Sequence, residues 1–385
     1  MQEPLKIFKN VSVKSISPDD NMHYFFGYYD LCPFDKTGRY HLAHRVSFFD
    51  RLPEKDDICE IGLIDTENNT FKKLGETTAW NFQQGALLNW YGDDAVIYNV
   101  RTEKGYGALI KYLNGAEKEI PMPLATSSSV SKKGISINFN RIFDFRPGYG
   151  YAGIPDEFAD VKAPAEDGVF TVDLETGESH LIISYKDLIE QFPEEPYASA
   201  KLLVNHLNLN PKGDRFVMLL RNFLIEGYTW KTMLIASDLE GNMVPLTNYR
   251  FNSHYCWKND RELLIVSDNE DKKGCWLFDT YTGEAQFIDM PGLDGRDIHC
   301  LYSPDQKYII GDAYPEQDYP YRNLMVYDCE KGTFEPMLAS LSTADANWDI
   351  RADLHARFDR TGNQISFDAT HNNKREICVI DMKNF

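Results

Sequence analysis

The stretch Asn210-Pro211-Lys212-Gly213-Asp214, followed by Phe216-Val217-Met218-Leu219-Leu220, decides how this chain folds. It is a tight polar turn leading into an unbroken apolar run. Asn closes such a turn with its side chain, Gly accepts the positive φ, and the run reads as a strand buried on both faces. The same turn-then-strand unit returns at Pro33–Gly38, Ser131–Gly134, Lys258–Asp260, Ser303–Gln306 and Asp359–Gly362, with a weaker copy at Tyr91–Asp94. Including the first, that makes seven copies. A second element, an Asp-x-x-x-Gly hairpin, occurs at Asp173–Gly177, Asp279–Gly283 and Asp328–Gly332, with shorter forms at Asp238–Gly241 and Asp65–Asn69.

Successive turns are about 40–57 residues apart, the length of a four-stranded blade. The sequence therefore predicts an all-β, seven-bladed β-propeller in one domain spanning residues 1–385. A β-sandwich pair or β-helix does not call for seven copies, and a doubly wound α/β fold needs helical periods that are missing here. One gap, from Ser131 to Pro211, is about twice the repeat. Its excess, about residues 140–167, is rich in Gly, Pro and Tyr and reads as a functional loop. Ser184–Gln191 reads as a short helix. The terminal runs Ser12–Ile16 and Ile377–Ile380 are expected to pair and close the ring.

Of the 385 residues 43% are hydrophobic, and no window is apolar enough to span a bilayer. The net charge of −19 argues against a nucleic-acid partner but leaves room for a local arginine cluster to hold an anion. Met1–Lys6 has no apolar leader, so a cytoplasmic location is expected, or a periplasmic or secreted one if a leader has been removed. Seven cysteines without C-x-x-C spacing read as buried apolar residues in a reducing compartment.

Propellers bind ligands on loops and strand ends at the mouth of the central channel. His206, His254, His299 and His355 each lie four or five residues before their turn, in four consecutive blades. Equivalent positions converge on one axis. Three imidazoles with an open position suit a divalent metal, Zn²⁺ or Mn²⁺, and the alternative is a metal-free cluster around an anion. In the long insertion, Arg146-Pro147-Gly148-Tyr149-Gly150-Tyr151 offers phenols, a stacking face and a guanidinium fork. Asn81, Gln83 and Gln84 offer amides for hydroxyl groups. Arg101 and Arg221 end equivalent strands, and His23, Tyr28, Tyr29 and Asp30 precede blade one. His41, His44, His180 and His371 fall outside the shared phase and read as structural. No Gly-x-Ser-x-Gly, Walker loop or dinucleotide fingerprint is present.

Gly27–Asp30, Ala79–Gly85, Arg146–Gly153, His299–Asp305 and Arg351–Arg357 together resemble the propeller-type polysaccharide lyases of the ulvan lyase and oligogalacturonate lyase group. The resemblance implies β-elimination at a 4-linked uronic acid in an oligo- or polysaccharide. It casts His206 as base, Tyr149 or Tyr151 as acid, and Arg146 and Arg221 as carboxylate clamps. His254, His299 and His355 would surround the metal, and Asn81, Gln83, Gln84, Arg101 and His23 would bind substrate. Two departures stand out. Gln83 and Gln84 occupy the segment where ulvan lyases place a catalytic histidine, and the metal-binding H-x-H pair reads here as His355-Ala356-Arg357. The second reading is accordingly a glycan-binding or assembly propeller that keeps the pocket without elimination.

Overall fold

The computed structural model describes residues 3–223, 231–293, 295–314, 320–342 and 348–383. It is a seven-bladed β-propeller, a ring of seven antiparallel sheets. Blade one runs from His23 to Thr77, blade two from Asn89 to Ile120, and blade three from Thr126 to Ser184. Blades four and five span Leu202–Pro245 and Asn252–Ile288, while blades six and seven begin at Ile298 and Arg357. Each predicted polar turn joins the innermost strand to the next. Asn210 Oδ1 accepts from the amides of Gly213, Asp214 and Arg215 at 2.8, 3.0 and 3.2 Å. Gly213 sits at φ 75°, where a side chain would be strained. In the Asp-x-x-x-Gly hairpins Asp173 Oδ1 accepts from the amides of Glu175 and Thr176, both at 2.8 Å.

Position in the blade explains the pattern of each strand. Arg215–Asn222 is buried at every residue because neighbouring blades cover both its faces. The outermost strand of blade one, Thr70–Thr77, is exposed at half its residues and correspondingly polar.

The ends close the ring as expected. Ser12–Ser15 pairs antiparallel with Glu376–Asp381, placing Ser15 opposite Cys378, and so completes blade seven. The structure adds a strand that the repeats did not announce. Leu5–Ile7 pairs with Thr333–Leu341 as a fifth strand of blade six, with Leu5 opposite Ser340. Three residues are too few to show a period, which is why the sequence is silent about it.

The insertion lies between Lys133–Ser136 and Gly168–Asp173 and is more ordered than a loop. It holds a helix, Phe139–Phe145, capped by Asn138, and a 3₁₀ turn, Pro147–Tyr149. Its anchor is Arg141, whose side chain is fully buried against Asp156 at 3.4 Å. Arg141 also donates to the carbonyls of Leu202 at 2.6 Å, Val161 at 3.1 Å and Lys162 at 2.7 Å. The short helix at Tyr185–Gln191 forms as predicted, closed by a reciprocal Ser184–Asp187 capping box.

Replacing Arg141 would leave buried Asp156 with Lys201 as its one remaining cation among the described residues and strip several buried carbonyls of their donor. Arg141→Met is expected to lower the unfolding free energy by about 3 kcal/mol in denaturant titration. An unchanged midpoint would show that the insertion is held elsewhere.

Candidate functional site

The centre of the ring is filled by Gly27-Tyr28-Tyr29-Asp30, the loop that leaves the first strand of blade one. Its position is set by blade seven. Asp368 accepts from the amides of Phe26 and Gly27, each at 3.2 Å. Arg357 forks onto Asp368 at 3.2 and 3.1 Å and donates to the carbonyls of Gly27 and Tyr28. Gly27 is at φ 115°, and a Cβ there would come within 2.9 Å of the Gln84 backbone. Only glycine fits. Across the channel, the Tyr29 hydroxyl donates to the Tyr255 carbonyl at 2.8 Å and accepts from its amide at 2.9 Å.

The four in-phase histidines gather around this loop. His206 stacks on Tyr28 with ring centres 5.2 Å apart, and His355 meets the same ring edge-on at 5.0 Å. His299 lies 3.9 Å from His254 and 4.5 Å from His355. Local backbone irregularity aims them. The ladders of blades four and five shift register between Asn205 and Asn208 and between Asn252 and Tyr255, which places His206 and His254 at bulges. His206 and His355 also sit at φ 49° and 44°, a strained conformation for histidine that the surrounding contacts must hold.

Each imidazole has a different partner. His254 Nδ1 is 2.8 Å from Asp297 Oδ1, and its Nε2 is 3.4 Å from the Tyr314 hydroxyl. Burial pulls its pKa below the ordinary histidine value although Asp297 opposes this, so at neutral pH the ring is uncharged. Burial, reinforced by Arg221, holds His206 well below that value too. His355 Nδ1 faces the Gly27 carbonyl at 2.8 Å, and His299 Nδ1 faces Asp312 at 3.2 Å. Burial lowers His299, but the carboxylates of Asp312, Asp353 and Asp297 outweigh it and leave its pKa raised.

Behind the cavity, one donor atom from each of His299, Asp353 and His355 lies within 4.8 Å of the others. The Nε2 atoms of His299 and His355 are buried without hydrogen-bond partners, while their Nδ1 atoms are held as in metal-binding histidines. This donor set fits a divalent ion such as Mn²⁺ or Zn²⁺. Asp353 is also engaged by Arg322 at 2.7 Å and Arg351 at 2.8 Å.

In front of this group opens a cavity of about 400 Å³, lined among others by Arg146, Tyr149, His206, Arg221 and His254. Arg250 and Lys231 add positive charge to its wall. Burial lowers the Arg221 pKa to about 10, which leaves it charged at neutral pH. The Tyr149 hydroxyl accepts from Arg351 Nη2 at 3.1 Å, and the Arg146 guanidinium lies 4.4 Å over the Tyr149 ring. Asp30, Asp268 and Asp297 are the acidic lining, and burial pushes the carboxyl of half-buried Asp30 up to about 6.

Several expected site residues are placed elsewhere. Tyr151 is buried in the blade wall, stacked on Phe139 at 4.6 Å with its hydroxyl accepting from Asn99 at 2.8 Å. Gln83 donates to the carbonyls of Asp349 at 3.2 Å and Arg351 at 2.9 Å, and Asn81 caps its own turn, so both support the wall. Of the three amides only Gln84 lines the cavity. Arg101 ties Lys55 to Gly153 through their carbonyls at 3.1 and 3.2 Å, and His23 packs on Phe49 at 4.5 Å. His41 and His44 are buried in blade one, as the structural reading expected.

The H-x-H correspondence also moves. Arg357 serves Asp368, whereas the group with His299 consists of Asp353 and His355, an Asp-x-His pair. Asp353, Arg250, Lys231 and Tyr314 were all missed. A signal for Asp353 was present, since Asp297-Ile298-His299 and Asp353-Leu354-His355 repeat one spacing, an acid two residues before an in-phase histidine.

No protein-family model matches the chain, and no curated protein matches its sequence. Solved structures do match in fold. An oligogalacturonate lyase in complex with manganese superposes with a TM-score of 0.65 at 16% identity, covering 98% of this chain and 96% of that one. The oligogalacturonate lyase of Vibrio parahaemolyticus gives 0.67 at 14% identity with the same coverage. A xyloglucanase from Xanthomonas campestris gives 0.50 at 12% identity and is matched over 54% of its length. At these identities the likeness is one of propeller fold.

The Tyr29 hydroxyl satisfies two buried backbone groups at once. Tyr29→Phe should lower stability by about 2 kcal/mol in thermal or denaturant unfolding. A neutral result would mean that the loop does not depend on this bridge.

Proposed function

We propose that the chain is a carbohydrate-active lyase that cleaves 4-linked uronic-acid oligosaccharides by β-elimination. The observation that carries this reading is one cavity lined both by an orientated, uncharged imidazole, His254 on Asp297, and by the cations Arg146 and Arg221. The fold shared with two oligogalacturonate lyases supports it.

In this reading Arg221 and Arg146 hold the uronate carboxylate, so that negative charge developing at C5 is tolerated. His254 takes the C5 proton. Its Nδ1 is committed to Asp297, which leaves Nε2 as the acceptor, and this makes it a better base than His206, which has no facing carboxylate. As the C4–O bond breaks and the C4–C5 double bond forms, the Tyr149 hydroxyl, held by Arg351, gives its proton to the departing oxygen. A divalent ion on His299, Asp353 and His355 would supply further positive charge toward the carboxylate. Trp348, 55% exposed at the mouth and 5.3 Å from Tyr314, offers an apolar face for a sugar ring.

One observation favours the second reading, a glycan-binding propeller without elimination. Arg322 and Arg351 already neutralise Asp353, which weakens the group as a metal site.

The two separate on incubation with galacturonate and ulvan oligomers, where elimination creates an unsaturated uronate that absorbs in the ultraviolet. Absorbance is expected with the wild type, about 10²-fold or more slower with His254→Ala. His254→Ala should retain the channel metal and His355→Ala should lose one equivalent. No absorbance with binding intact supports the second reading, and loss of activity in His206→Ala but not His254→Ala transfers the base role to His206.

The pH dependence of binding follows from Asp30. Above about 6 its carboxylate is ionised and repels an anionic sugar; below that it is neutral. Affinity for a uronate oligomer should therefore rise as pH falls through about 6, and Asp30→Asn should remove this step. An unchanged step in Asp30→Asn would assign it to another group.

A further inference from the structure

Blade seven carries a second group of donors away from the channel. His371 stands in the turn between the strands Gln364–Ala369 and Glu376–Asp381. Glu376 and Cys378 are two residues apart on the latter strand and so share one face, which packs toward blade six beside Leu324, Val326 and Leu338. One ligand atom from each of His371, Glu376 and Cys378 lies within 4.8 Å of the others. The group is enclosed: the side chains of His371 and Glu376 are 8% and 3% exposed, and Cys378 is 1% exposed.

His371 Nε2 stands 3.5 Å from Glu376 Oε1. Two ligands at about 2.0–2.1 Å from a shared tetrahedral ion would be about 3.4 Å apart. The other ring nitrogen, Nδ1, is 3.4 Å from the Ser340 hydroxyl of blade six, which turns Nε2 toward the carboxylate as an outer partner of a metal-bound histidine does. Charge supplies the independent argument. Glu376 accepts from the Asn372 amide at 2.6 Å, but no lysine or arginine of the described residues forms an ion pair with it. A carboxylate this deeply buried beside a thiol and an imidazole lacks a cation.

We propose that His371, Glu376 and Cys378 of blade seven bind a divalent transition ion of the zinc type at the face turned to blade six, whose Ser340 orients His371. The sulfur, nitrogen and oxygen donors together favour Zn²⁺ over Mg²⁺ or Ca²⁺ and leave one position for water. Binding exchanges the thiol proton of Cys378 for the ion, and the proton leaves to solvent. The site lies where the ring closes, because Cys378 is the ladder partner of Ser15 and Ser340 that of Leu5.

The test uses the full chain, stripped with chelator and titrated with Co²⁺ alone. A thiolate-to-cobalt charge-transfer band is expected to saturate by two equivalents, and by one in His355→Ala, whose channel group no longer competes. Cys378→Ser should abolish the band, and His371→Ala should weaken binding by about 10-fold or more. His355→Ala, in the channel group, should leave the band intact. Zn²⁺ alone should raise the melting temperature of the wild type more than that of His371→Ala. Absence of a thiolate band at saturating cobalt, or an undiminished band in folded Cys378→Ser, overturns the proposal. Should Cys378→Ser not fold, unchanged cobalt affinity in His371→Ala, altered only at the turn, overturns it as well.

Discussion

The bidentate pair between Arg357 and Asp368 is the interaction on which the rest of the site depends. Propeller blades leave a channel at their centre, and an open channel offers little control over a small ligand. Here blade seven reaches inward and fixes Gly27–Asp30 across the axis, with Asp368 taking the amides and Arg357 the carbonyls. The ion pair is buried, but it forks in both directions and every group it displaces from water finds a partner, the condition under which burial of charge is tolerable. Tyr28 and Tyr29 then furnish the surface on which all four histidines pack.

Ring symmetry brings equivalent positions to one axis, but it does not make them equivalent chemically. His254 and His299 each face a carboxylate, His355 faces a carbonyl, and His206 is pressed between Tyr28 and Tyr149. The proposed function accordingly gives the same residue type the part of proton acceptor in one blade and of metal donor in the next two. Positive φ at His206 and His355, with bulges in blades four and five, shows that regular strands alone would not deliver these rings to the cavity.

What the sequence disclosed follows from what repeats. Turn residues such as Asn210 and Gly213 act locally, so their recurrence revealed the blades, and histidines at a constant distance from them revealed the convergence. Contacts between distant segments leave no such period. Nothing local marks Gln83 as a support for Arg351, Tyr151 as wall rather than site, or Arg250 and Lys231 as cavity residues. Asp353 was legible as the partner of His355 at two-residue spacing, although a lone aspartate carries no period of its own. At the departure, Gln83 supports the wall through the Asp349 and Arg351 carbonyls, while Gln84 lines the cavity.

The proposed function requires that the cavity recognise sugars through their carboxylates. Calorimetric titration with a galacturonate oligomer and with a neutral galactose oligomer of equal length tests it most directly. Binding of the uronate alone, weakened at higher salt and lost in Arg221→Gln, is the expected result. Equal affinity for both oligomers would contradict the account.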